Sequence, residues 1–323
     1  MKPFEFVQAK SAQEAVSFLG DEYNESKVLA GGLDLIGELK EHLIEPERLV
    51  SIGGIGDLNY IRIEGNATKI GATTTLAEIA AHPDLQKAHA AFAEAALVVG
   101  SPQIRNIGTL GGNLCQRPRC WYYRGEFFPC LRKGGAICYA LSGRNYYNAI
   151  LGGGPSYIVH PSDCAPALIA LNAKVHLAGP DGPREMPLED FFVLPTEILT
   201  RENKLQPNEI ITEVEIPAHS LKSTYIKFRQ REGFDWALSA AAVALEMDGV
   251  TCRKANIILG GVAPRPWRAK KAEEVLNGKA ITEALAAEAA EASVDGAVAL
   301  SDNGYKIPLT KAIVKEAILK LAA

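Results

Sequence analysis

Along the first two thirds of the chain, the apolar positions switch repeatedly between a two-residue and a 3.6-residue period, so short strands and short helices alternate. Residues 4–7 read as a strand. Ser11 and Glu14 form a capping box ahead of Ala12, Ala15, Val16 and Leu19 at helical spacing, with Gly20 placed to close the helix in the left-handed conformation. A second strand over 27–30 runs into Gly31-Gly32 and a helix with Leu33, Ile36, Leu39 and Leu43 on one side. Strands are predicted at 48–52, 60–63 and 69–71. A second capping box, Thr75 with Glu78, and an Ala-rich helix over 84–98 follow. Further on come a strand near 157–159, a helix over 165–171 and strands near 174–178 and 210–216. After Pro217 the pattern changes to two longer strands, 240–246 and 255–259, joined through Asp248-Gly249, a favoured hairpin dipeptide. Helices over 270–276, 282–293 and 309–321, the last behind Pro308, complete the chain. Many short strands without a regular βαβ series predict an α+β fold with a domain boundary around 217–222.

A length of 323 residues fits about two domains. With 47% hydrophobic and 22% charged residues, the composition excludes disorder, collagen and coiled coil. The net charge of −4 argues against a broad nucleic-acid-binding face, which needs clustered positive charge. No apolar run approaches the roughly 18 residues of a membrane span, and the N-terminus has no apolar core of a secretory signal. A cytoplasmic setting is expected, unless a signal-bearing partner carries the folded chain to the periplasm. The 6 histidines form no H-E-x-x-H or close ligand pair, and no G-x-S-x-G elbow occurs, so hydrolytic chemistry has no support.

Two glycine loops are the first candidate chemistry. The segment 29–35 holds Gly31-Gly32 between strand and helix, where backbone N–H groups can approach a phosphate closely. The plain alternative is a tight turn. The segment 103–113 adds Gly108, Gly111 and Gly112 to Thr109, Asn113 and Arg105, more than a turn requires. Neither loop fits the dinucleotide fingerprint or the P-loop.

Four cysteines crowd into one window as Cys115-x4-Cys120-x9-Cys130-x7-Cys138, while Cys164 and Cys252 stand apart. Six cysteines are too few for a disulfide scaffold in a chain this long, so a reducing compartment and a metal or redox site are expected. The spacing lacks the paired C-x2-C knuckles of structural zinc and suits an iron–sulfur cluster, with zinc and incidental buried cysteines as the other readings. Arg117, Arg119, Trp121, Tyr122, Tyr123 and Arg124 interleave here and are expected to pack around a cluster and against a partner.

These motifs carry a resemblance. Ala30-Gly-Gly-Leu-Asp34 resembles the first flavin-binding loop, usually Ala-Gly-Gly-Thr-Asp, of the FAD-binding subunit of molybdenum hydroxylases, and Thr109-Leu-Gly-Gly-Asn113 resembles the second. His160-Pro-Ser-Asp163 looks like the third element, and Lys227 matches a basic position near the isoalloxazine. The window 113–124 looks like the inserted loop of the branch that includes the periplasmic aldehyde oxidoreductase and 4-hydroxybenzoyl-CoA reductase flavin subunits, where it carries an extra [4Fe-4S] cluster.

The resemblance implies an FAD-binding PCMH-type domain of two subdomains over 1–218, with the iron–sulfur loop at about 114–147, and a CO-dehydrogenase-flavoprotein-like sheet-and-helix domain over 219–323. It assigns to FAD residues Lys27, Val28, Leu29, Ala30, Gly31, Gly32, Leu33, Asp34, Gly108, Thr109, Gly111, Gly112, Asn113, Asp163 and Lys227. The cluster ligands it implies are Cys120, Cys130 and Cys138. In related chains the fourth falls downstream of Cys138, where this sequence offers Tyr147 or Ser156 instead of cysteine; Cys115 is expected in its place because it is nearest, with Cys164 or Ser156 as the other choices. Leu33 departs from the usual threonine. On the residues alone, Asp163 also reads as a helix N-cap and Lys227 as a solvated strand residue. The implied function is electron transfer in a hetero-oligomer with a molybdopterin-binding large subunit and a [2Fe-2S] small subunit. A stand-alone flavin oxidoreductase and a zinc-stapled binding module are the competing readings.

Overall fold

A three-stranded parallel sheet opens the fold in the computed structural model, which describes residues 1–322. Strand β1 (Glu5–Gln8) leads through helix α1 (Ala12–Phe18) to β2 (Ser26–Leu29), then through α2 (Leu35–Lys40) to β3 (Arg48–Ser51), and the sheet order is β1-β3-β2. The first capping box forms by half. Ser11 accepts from Glu14 N–H, but the Glu14 carboxylate reaches the Lys10 N–H at 2.6 Å instead of its own cap. Gly20 is not left-handed; its N–H bonds to Ser26 Oγ at 2.9 Å, and the Glu25 side chain fills the space where a Cβ would stand.

Next come β4 (Ile61–Glu64), β5 (Ala67–Gly71) and α3 (Leu76–Ala81), whose Thr75–Glu78 capping box forms completely. The helix expected over 84–98 is broken into α4 (Pro83–Ala88) and α5 (Ala90–Leu97). The break falls at His89, whose two ring nitrogens lie 2.9 Å from His219 and 2.8 Å from Thr68 Oγ1, a tertiary tether that outweighs local helix propensity. Three short helices follow: α6 (Pro102–Ile107), α7 (Leu110–Leu114) and α8 (Trp121–Arg124). The strand expected near 157–159 joins no ladder among the described residues; His160 N–H bonds instead to Ala263 O.

Helix α9 (Cys164–Ala170) packs under a five-stranded sheet completed by β6 (Lys174–Gly179), β7 (Gly182–Pro187), the short α10 (Leu188–Phe191) and β8 (Ile210–Pro217), in the order β4-β5-β8-β6-β7. Strand β7 carried no strand signal because of Pro183 and Pro187. It lies at the sheet edge, where a missing N–H is tolerated.

The last part is a sheet ordered β12-β11-β10-β9, from β9 (Lys222–Phe228), β10 (Ser239–Asp248), β11 (Thr251–Gly260) and β12 (Trp267–Arg268). Behind it come α11 (Lys270–Leu276), β13 (Lys279–Ala280) paired to β11, α12 (Glu283–Ser293) and α13 (Lys306–Ala322). Pro308 stands inside the first turn of α13 rather than ahead of it, where its missing N–H removes no helical bond. Alternation along β10 explains its small residues: Ala240, Ala242 and Ala244 face the core around α5 and α9, while Ala241, Val243 and Leu245 face the core under α11 to α13. No helix among the described residues is long and apolar enough to cross a membrane.

Candidate functional site

Strand β2 delivers the first glycine loop to the mouth of a cleft. Gly31 is sterically required, because a Cβ there would stand 2.1 Å from Ile107 O at the end of α6. Gly32 takes φ +73, a left-handed value that costs glycine nothing. Among the described residues, the N–H groups of Ala30, Gly31, Gly32, Leu33 and Asp34 make no hydrogen bond within the chain. A run of backbone donors left free in this way is what an anionic ligand needs.

The second glycine loop has a different economy. Leu110 N–H bonds to Thr74 O, Gly111 N–H to Ala72 O, Asn113 N–H to Thr109 O and Gly112 N–H to Thr109 Oγ1 at 3.2 Å. Its glycines serve close packing: a Cβ on Gly111 would lie 3.2 Å from both the Cβ and the carbonyl oxygen of Ala72. The Asn113 amide oxygen accepts from Ser162 Oγ at 2.6 Å, which ties this loop to the segment before α9.

Asp163 occupies the N-cap position of α9 without capping it; Ser162 Oγ accepts from Ala165 N–H instead. The Asp163 carboxylate receives Tyr225 OH at 2.7 Å and Lys227 Nζ at 2.8 Å, and the ion pair is buried. Lys227 is therefore not a solvated strand residue. Tyr225 was missed in the sequence, although its position two residues before Lys227 on one strand puts both side chains on the same face.

Asp34 is held from the cysteine window. Its carboxylate accepts from Arg117 N–H at 2.7 Å and Arg124 Nη2 at 2.6 Å, with Arg119 Nη1 at 2.9 Å. The buried Glu202 pairs with Arg117 Nε at 2.8 Å and with Arg132. These arginines turn inward to the cleft's carboxylates rather than outward. Nearby, Tyr123 OH donates to Glu38 at 2.8 Å, and burial raises the Glu38 carboxyl above its usual range. Burial, then the neighbouring Arg117, lowers the Lys27 ammonium to about 8.

The two loops, Asp163 and Lys227 line one cleft of about 1170 Å³, beyond the roughly 300–1,000 Å³ of ordinary small-molecule sites. Lys27, Val28, Ala30, Gly31, Gly32, Leu33 and Asp34 line it from one side, and Gly108, Thr109, Gly111, Gly112 and Asn113 from the other. Leu29 does not line it; its side chain packs beneath Gly32. Leu33 is 50% exposed and reaches toward Gly108, so its side chain bridges the loops without any need for a hydroxyl.

Cys120 and Cys138 are close enough to interact electrostatically. Burial raises the Cys120 thiol, while the N–H groups of Tyr123 and Tyr122 and the Asn148 amide pull the other way. Asn148 Nδ2 lies 3.8 Å from the Cys120 sulfur. Cys130 is buried in the same loop, bridged to Ile137. Cys115 stands apart from this arrangement: it lines the cleft, and burial with Glu202 and Asp34 pushes its thiol up to about 12, so its charged neighbours are carboxylates. Among the described residues no three of these sulfurs come within 4.8 Å of one another, which is not the spacing of a single tetrahedral ion. His160 lines a smaller cavity of about 330 Å³ with Cys120 and Trp121, its ring packed edge-on to Phe192; burial lowers it to about 3.

Residues 2–219 match the family described as the FAD binding domain in molybdopterin dehydrogenase, and residues 223–321 match the CO dehydrogenase flavoprotein C-terminal domain. The chain belongs to this flavoprotein family, whose two-part α+β architecture it has. Among curated relatives, it is 31% identical over 318 residues to the aldehyde oxidoreductase FAD-binding subunit PaoB of Escherichia coli strain K12, covering 96% of each chain. It is also 31% identical over 326 residues to the carbon monoxide dehydrogenase medium chain of Hydrogenophaga pseudoflava, covering 98% of this chain and 96% of that one. The solved carbon monoxide dehydrogenase from Hydrogenophaga pseudoflava lacking the Mo-pyranopterin moiety superposes with TM-score 0.79 at 30% identity, over 99% of this chain and 97% of that chain. These relatives are named as oxidoreductases and as subunits.

Proposed function

We propose that this chain is the FAD-carrying electron-transfer subunit of a heteromeric molybdenum hydroxylase, with a molybdopterin-binding large subunit and a [2Fe-2S] small subunit as partners. The single observation that carries the reading is the row of free N–H donors from Ala30 to Asp34 at one side of a dinucleotide-sized cleft. A diphosphate satisfies such donors, and the first loop is the part of the cleft assigned to it. Asp163, with Lys227 and Tyr225 fixing its carboxylate, serves the polar chain and ring of the same ligand. When bound, FAD supplies redox chemistry between the partners' centres and an external acceptor. The chain's own residues bind and orient it; none is assigned a proton transfer. The division into 1–218 and 219–323 belongs to this reading and separates the loops from the sheet that contributes Tyr225 and Lys227.

An additional [4Fe-4S] cluster held by Cys120, Cys130 and Cys138 is part of the proposal. The N–H groups and the Asn148 amide around the Cys120 sulfur are suited to a metal-bound thiolate. The fourth ligand is assigned to Ser156 rather than Cys115. Ser156 is buried and directly precedes Tyr157, whose carbonyl oxygen accepts from the same Asn148 Nδ2 at 2.9 Å, whereas Cys115 faces the cleft. Phe127, 90% exposed, and Trp121 give the window an apolar face for a partner subunit.

Reconstitution of the purified chain with FAD tests the reading. One equivalent of flavin with its visible bands is expected; a chain that stays colourless overturns it. Iron and acid-labile sulfide assays on anaerobically prepared protein test the cluster, which Cys120→Ser should abolish without releasing flavin. Absence of iron from the wild-type chain sinks that part alone.

A further inference from the structure

A second constellation of ligating side chains lies on the five-stranded sheet, outside both cavities. His176 on β6 is paired in register with Glu213 on β8, and Glu215 follows two residues on, so the three side chains share one face. The His176 Nε2 atom is buried, has no hydrogen-bond partner, and sits 3.6 Å from Glu213 Oε1 and 3.6 Å from Glu215 Oε2. That separation is too long for a hydrogen bond. It falls within the ~3.0–3.8 Å that separates donor atoms at cis to trigonal positions around a first-row cation at ~2.1–2.2 Å. The ligand atoms of all three residues lie within 4.8 Å of one another.

The surroundings have the form of outer-shell support. His176 Nδ1 is 3.6 Å from Glu185 Oε2, a carboxylate behind the imidazole, and Tyr60 OH donates to the other Glu213 oxygen at 2.5 Å. Of the ammonium groups nearby, Lys174 is engaged by Glu185 at 2.8 Å and Lys69 lies 3.7 Å from Glu64. Among the described residues, no lysine or arginine lies within salt-bridge distance of Glu213 or Glu215, whose ion-pair partner is His176.

We propose that His176, Glu213 and Glu215 form a binding site for one divalent cation that accepts mixed nitrogen and oxygen ligands, stapling β6 to β8. Three protein ligands leave a position for water. The site is independent of the flavin cleft and of the cysteine window.

Mn²⁺ is the probe, because oxygen and nitrogen ligands suit it and thiolates favour softer metals, which leaves the cysteines out. Titration of the purified full chain, following the free-ion EPR signal, should give one saturable equivalent and a Mn²⁺-dependent rise in Tm. His176→Ala should abolish both, Glu215→Gln should weaken binding at least about tenfold, and Tyr60→Phe should weaken it about tenfold, the lower end of the cost of losing an outer partner. Glu215→Gln, which keeps size and shape, serves if His176→Ala folds poorly. No saturable binding by the wild-type chain, or equal affinity in Glu215→Gln, overturns the site and leaves the three residues as an ionic cluster.

Discussion

The two glycine loops look alike in sequence and do opposite work. In the first, N–H groups from Ala30 to Asp34 have no partner among the described residues, while the chain around them is held by β2, α2 and the arginines on Asp34. In the second, the amides from Leu110 to Asn113 are consumed by Thr74, Ala72 and Thr109, and the glycines let the backbone lie against Ala72. One loop offers donors; the other is a floor whose thickness is set by missing side chains. A glycine-rich motif is therefore two distinct devices, told apart by where the backbone hydrogen bonds go.

The sharpest break of this contrast is Gly31→Val. The side chain cannot coexist with Ile107 O at 2.1 Å, so the first loop must move. Loss of flavin binding and a destabilisation of about 3 kcal/mol are expected in reconstitution and denaturant titration. Asp34→Asn should come next. It removes the charge that Arg119 and Arg124 share, and flavin affinity should fall about tenfold, or ~1.4 kcal/mol, while the second loop is unaffected.

Lys306 tests the other end of the cysteine window, where Nζ donates to Tyr147 O at 2.9 Å and Gly261 O at 2.8 Å, with no carboxylate partner among the described residues. Burial lowers its ammonium to about 7, against about 10.4 in the unfolded chain. Between these values the unfolded state binds the extra proton, so this group's contribution makes stability rise as pH climbs from about 7 toward 10. Lys306→Met should flatten that slope in denaturation series across the range; an unchanged slope refutes the assignment.

Gly111→Ala should cost about 1 kcal/mol of stability, from a contact of 3.2 Å to Ala72, yet change flavin affinity less than Asp34→Asn does. A larger loss of affinity would mean that the second loop donates after all. Leu33→Thr, restoring the usual residue, should lie within about 0.5 kcal/mol in either property, because the side chain is half exposed.

The strands and helices with clear periodicity were legible in the sequence, and so were the cleft's contributors, since a loop between strand and helix has few places to go. What was not legible traces to long-range contacts. His89 breaks a helix because His219 and Thr68 hold its ring, and β7 exists because β6 offers it an edge. The arginines of the window are expected from the sequence to pack around a cluster and against a partner; in the fold they face Asp34 from 83 to 90 positions away in the chain and Glu202 from 70 to 85.

By itself the sequence determined the kinds of element, the places where backbone could come close to a ligand, and the supply of thiols, because these depend on near neighbours and side-chain type. Only the tertiary structure decided which amides stay free, which carboxylate each arginine meets, and that Cys115 faces the cleft instead of Cys120. Those outcomes depend on donors and acceptors brought together across the chain, and local propensity carries no information about which partner arrives.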